Sequence, residues 1–185
     1  MNTGKRFEND IKKSIPNEVF YYRIQDSTGN FSGGDQLRFT NQQPCDCFLF
    51  DCKNKILYTL ELKSTESTSF SFESIDKPIT YQKKIHKHQI LSLKEFFLYE
   101  NVCSGFLFNF RKKDGTQKTY FQRIDYFLKM IQEINKKSFN EKDLLKYNPI
   151  EIDGKKIIKN YQWNIKNFLI EAKKMDWIQS AHFSV

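Results

Sequence analysis

Apolar residues Phe7, Ile11 and Ile15 recur every four positions, one stripe of a short helix that Pro16 ends. Residues 19–24 read as a strand, and the polar run 25–43, with Gly29, Gly33 and Gly34, reads as loop. Residues 45–50 and 56–63 are two β-rich runs around a polar segment, Asp51 to Lys55, that suits a turn between adjacent antiparallel strands. A second polar stretch, 64–84, is expected as a projecting arm or a disordered loop. Phe70 and Phe72 alternate about a serine within it, as in a small hairpin.

Farther on, Ile90, Leu93, Phe96 and Phe97 predict a helix within 85–99. Residues 105–110 and 118–123 predict strands joined through Asp114-Gly115. Ile124, Phe127, Leu128 and Ile131 continue as a helix, Asn140 is placed to cap a short one, Asp153-Gly154 marks a turn, and Ile165, Phe168, Leu169 and Ala172 line a last helix. Helices before and after strands predict an α/β fold with a central mixed sheet flanked by helices. Without repeats or linkers, residues 1–185 are expected to form a single domain.

Composition narrows the classes. At 185 residues with 16% aromatic side chains the chain can bury a core, which excludes a disordered or low-complexity protein. No apolar run approaches a membrane span and residues 1–13 carry no hydrophobic stretch, so a cytoplasmic location and no membrane partner are expected. Cys45, Cys47, Cys52 and Cys103 are expected as reduced thiols. The first two would point the same way from a strand, and a fourth zinc ligand at plausible spacing is missing. A formal charge of +8 favours a polyanionic partner.

Candidate chemistry lies in Pro44-Cys45-Asp46, then fourteen residues, then Glu61-Leu62-Lys63. On a strand Glu61 and Lys63 share one face, while Leu60 and Leu62 turn to the core. Folding the Asp46 strand against this one brings two carboxylates close enough to share one cation. Oxygen ligands of this kind suit Mg²⁺, with Mn²⁺ as substitute, and Lys63 is placed to orient a water or neutralise charge on a phosphate.

At these residues the chain resembles the PD-(D/E)xK nuclease superfamily, and within it the RecU-type Holliday junction resolvases. The match runs through Gly4 to Glu8, the two strands above, Ile85 to Ile90, and Gly105 to Phe110 followed by Arg111, and continues loosely through 157–165 with Tyr161 and Gln162. Pro44 replaces the threonine usual two positions before the aspartate, and the stretch between Lys63 and His86 is longer than the family's. The resemblance implies a restriction-endonuclease-like core, a homodimer, Mg²⁺-dependent nicking of four-way DNA junctions, a role for Gln89 at the metal beside Asp46 and Glu61, and Glu8 near the centre.

Lys5, Arg6 and Lys12 crowd the first helix, Lys83, Lys84 and Lys87 precede Gln89, and Arg23 and Arg38 flank the glycine-containing loop. These are the candidate DNA contacts. His86 and His88, two apart, would diverge on a helix, whereas His86 and Gln89 share a face. Competing functions are another nuclease on the same core, restriction-type or single-strand-specific, and a non-catalytic basic DNA-binding module.

Overall fold

The computed structural model describes residues 3–25, 43–76 and 83–175. Helix α1 (Thr3–Ser14) precedes an antiparallel meander of β1 (Val19–Arg23), β2 (Cys47–Asp51) and β3 (Ile56–Thr65). After the short β4 (Ser69–Ser71), helix α2 (Lys87–Phe96) lies on the crossover that lets β5 (Val102–Arg111) run parallel to β3. Strand β6 (Gln117–Arg123) returns antiparallel and runs directly into α3 (Ile124–Glu133). The chain closes with β7 (Ser138–Asn140), α4 (Glu141–Leu144), β8 (Ile150–Ile152), β9 (Gly154–Ile157), β10 (Asn160–Trp163) and α5 (Ile165–Lys174).

The main sheet has six strands in the order β1-β2-β3-β5-β6-β8, and β4–β7 and β9–β10 form separate pairs. Helices cover both faces. Phe7 and Ile11 of α1 and Phe168 of α5 pack with Leu60, Leu62 and Leu107 on one side. Ile90 and Leu93 of α2 and Phe127 of α3 pack with Phe106 and Phe108 on the other. The middle of β5 is therefore buried on both faces, as a central strand of a two-sided sheet must be. This is the mixed α/β class expected from the sequence. Among the described residues no helix is long and apolar enough to cross a membrane.

Several local expectations are corrected. The described part of 64–84 does not project. Strand β4 pairs with β7, and Phe70, fully buried, lies 5.0 Å from both the Phe108 and Phe110 ring centroids. Residues 77–82 of that stretch lie outside the described residues. The turn expected at Asp153-Gly154 is the corner where the chain leaves β8 of the main sheet for β9 of a separate pair. There the Trp163 ring lies so flat on Gly154 that a Cβ would come within 2.3 Å of it. A hairpin turn that the sequence reading did not name falls at Ile158-Lys159, with Ile158 at φ 53°. Cys45 and Cys47 do not point the same way: the chain is not yet in a regular strand at Cys45, which joins the α2-side core while Cys47 joins the α1-side core. All four cysteines are free.

Candidate functional site

The β2–β3 turn sets the register of the acids. Asp51 Oδ1 accepts hydrogen bonds from the backbone N–H groups of Lys53 (3.0 Å) and Asn54 (3.1 Å), and Oδ2 accepts from the Asn54 amide (2.7 Å). Lys55 takes a positive φ of 58° to complete the reversal. The ladder ends with Cys47 opposite Leu60, and just before it the Asp46 N–H donates to the Leu60 carbonyl at 3.1 Å, which keeps Asp46 beside Glu61. The Leu62 N–H donates to Asp46 Oδ2 at 2.6 Å, pinning that carboxylate across the strand pair.

Glu61 is almost wholly buried, and its carboxyl lies within hydrogen-bonding reach of Asp46. Lys63 Nζ stands 2.9 Å from Glu61 Oε1. Burial first, and the Asp46 charge second, push the Glu61 carboxyl up to about 8 against the opposing pull of Lys63. Burial likewise raises Asp46, although the Leu62 N–H and the Lys63 ammonium pull it down. Two acids that each resist ionising beside the other are stabilised as anions by a cation placed between them.

Gln89 reaches Glu61 from α2. Its amide oxygen accepts the His86 backbone N–H at 3.0 Å, and its amide nitrogen donates to Glu61 Oε1. In this arrangement the nitrogen, which has no lone pair for a metal, faces the acids. Gln89 is thus placed to orient Glu61 rather than to ligate beside it. The cap is anchored in turn by the buried Glu73, whose Oε1 pairs with His86 Nδ1 (3.0 Å) and whose Oε2 accepts from the Lys87 N–H (2.7 Å). The expected divergence of the two histidines is also corrected. His86 is the extended residue before the helix, so its ring stacks on His88 with centroids 5.5 Å apart.

Glu8 of α1 enters beside this group. It holds Arg23 at 2.8 Å, and the charges of both are felt at Asp46. Arg23, expected as a DNA contact, is therefore engaged with the acidic cluster. Lys84 Nζ is similarly occupied, bonded to Thr65 and Ser67 and lying 5.7 Å from the Phe70 ring centroid. Lys5 and Lys12 are exposed on α1, and Arg6 donates to the Lys159 carbonyl at 2.6 Å. Lys83 and Lys87 are half-buried at the entry to α2, and Arg38 lies outside the described residues. The sequence reading missed Glu73, since nothing in its spacing marks a carboxylate that acts through a histidine thirteen residues away. It also assigned no role to Arg111.

The residues present fit a divalent ion with few protein ligands. Among the described residues no group of three or more His, Cys, Asp or Glu side chains is assembled as a metal cluster. The set is two carboxylates, Asp46 and Glu61, with the remaining positions left to waters and phosphate oxygens. That is the ligation Mg²⁺ prefers, because it gives up its water reluctantly.

No protein-family model matches the chain. Over 128 residues it is 39% identical to the SPbeta prophage-derived uncharacterized protein YotM of Bacillus subtilis (strain 168), an alignment covering 69% of this chain and 58% of that protein. The chain thus spans under two thirds of the length of that relative. Among solved structures it is similar to Hjc, a Holliday junction resolvase of the archaeal hyperthermophile Archaeoglobus fulgidus. The TM-score is 0.43 and the identity 13%, with 77% of this chain and 93% of that one covered.

Proposed function

We propose that the chain is a divalent-metal-dependent DNA endonuclease of the PD-(D/E)xK type, a single nuclease domain with a restriction-endonuclease-like core. The observation that carries this reading is the approach of half-buried Asp46, just before β2, to buried Glu61 on β3, with Lys63 held on Glu61 at 2.9 Å. Neighbouring carboxylates that are both disfavoured as anions serve no evident packing purpose, and an ion-binding purpose explains them.

Asp46 and Glu61 would hold Mg²⁺ or Mn²⁺, which, when bound, supplies Lewis-acid polarisation of the scissile phosphate and an acidified water. Lys63 brings an ammonium to the same spot, where it neutralises charge developing on the phosphate. Gln89 fixes the orientation of Glu61 through its amide, and Glu8 keeps Arg23 beside Asp46. Hydrolysis on this plan needs no covalent intermediate with the protein.

Within this class we infer a RecU-like enzyme that resolves four-way junctions as a homodimer in the cytoplasm, a finer reading supported by the match at Gly4 to Glu8, Ile85 to Ile90 and the two acid-bearing strands. The test is incubation of the protein with a synthetic four-way junction, a matching linear duplex and a single strand, each with Mg²⁺ and with EDTA. The reading expects Mg²⁺-dependent nicking of the junction in preference to the other two. Cleavage of the duplex or single strand instead would retain the nuclease and overturn junction selectivity. Binding without cleavage of any substrate would leave a DNA-binding module.

A further inference from the structure

A second charged feature lies where the β5–β6 turn, the β9–β10 hairpin and the start of α1 meet. A cleft of about 510 Å³ is lined there by Arg6, Arg111, Lys112, Lys113, Lys156 and Lys159, and among the described residues Glu66 is the one carboxylate on its wall. We propose that this cleft is a phosphodiester-backbone site, in which Arg111 anchors a nucleic-acid phosphate and the hairpin lysines hold its neighbours. The choice of ligand rests on the endonuclease reading.

Arg111 is built in rather than dangling. Its Nε donates to Ser64 Oγ and Asn109 Oδ1, both at 3.1 Å, and Asn109 is itself fixed by bonds to Gln117 and Thr119. One terminal nitrogen of the guanidinium is buried and, among the described residues, has no hydrogen-bond partner. A half-buried guanidinium oriented from behind is a rigid fork suited to phosphate. Burial disfavours its charge, and the neighbouring Arg6 adds to that while Asp10 and Glu66 compensate. An arriving phosphate adds further counter-charge on the cleft side.

The layout favours a polymer over a small anion. The lysines are spread over two separate turns, as point charges along a backbone require, and Ile158 at the hairpin tip is 88% exposed on the rim, apolar surface that suits a sugar or base. Glu66 on the cleft wall stands three residues beyond Lys63, roughly 10 Å of extended chain. Strand phosphates advance about 3.4 Å along the axis per nucleotide, so one bound strand can serve both places.

The test is the salt dependence of binding, measured by fluorescence anisotropy on a labelled short duplex in EDTA, so that no cleavage intervenes. For the double variant Lys156→Gln/Lys159→Gln the affinity should fall about tenfold and the slope of log K against log salt by about 1–2. Arg111→Gln should also lower both, with folding checked by circular dichroism. Lys129→Gln/Lys166→Gln, two exposed charges on α3 and α5, serves as the matched control and should leave the slope unchanged. Equal losses in cleft and control variants, or an unaltered slope in the cleft variants, would overturn the proposal. The endonuclease reading is judged separately, by Mg²⁺-dependent cleavage, so a slope change without cleavage defeats that reading alone, and cleavage without a slope change defeats the cleft.

Discussion

Asp51 shows how one side chain far from the acids sets their register. Burial works against its charge, but the hydrogen bonds from Asn54 and Lys53 prevail and hold its carboxyl below the usual range. A folded value below the unfolded one means that this contribution is present above the unfolded pKa, 3.8 in the ordinary case, and is lost as pH falls through the folded value. Asp51→Ala should therefore cost about 1–3 kcal/mol in urea unfolding near pH 7, and the gap from the parent should narrow towards about pH 3. Glu61 carries the opposite sign. Its raised value means the contribution is full below the unfolded pKa and lost as pH rises through about 8. In EDTA the Tm should fall between about pH 5.5 and about pH 8.5, and Glu61→Gln should flatten that fall. A parent and a Gln variant with parallel pH profiles would show that Glu61 is not the group responsible.

At the scale of elements, β2 and β3 beside the acids were legible because alternation and a polar turn are local signals. Strand β4 was not. Its flanking serines look like loop, and its partner β7 lies nearly seventy residues away, so only tertiary packing reveals why Phe70 is apolar. Phe70→Ala should destabilise the protein by about 3–5 kcal/mol, whereas an arm standing in solvent would lose almost nothing. The β9–β10 reversal escaped notice for a different reason. It has no Asn-Gly or Asp-Gly pair, and Ile158 adopts the left-handed region in its place. Gly105 in β5 is a stricter case, because an added Cβ would sit 2.4 Å from the Gln122 carbonyl oxygen of β6. Gly105→Ala should push the two strands apart and cost about 1–3 kcal/mol in a denaturant titration.

For the whole molecule, strand periodicity was enough to put Glu61 and Lys63 on one face, as their 2.9 Å contact has them. The support around them could not. Glu73, from the segment after β4, meets His86 and Gln89 at the start of α2, and Arg23 turns to Glu8 instead of outward, both consequences of how the layers stack. The central claim is that Asp46 and Glu61 together hold a divalent ion. Calorimetric titration of Mn²⁺ into the parent, Asp46→Asn and Glu61→Gln measures this directly, since both replacements keep the side-chain shape and one acceptor oxygen while removing the charge. The account predicts saturable binding by the parent and a loss of about tenfold or more in affinity for each variant. Equal binding by all three proteins, or none by the parent, would contradict it.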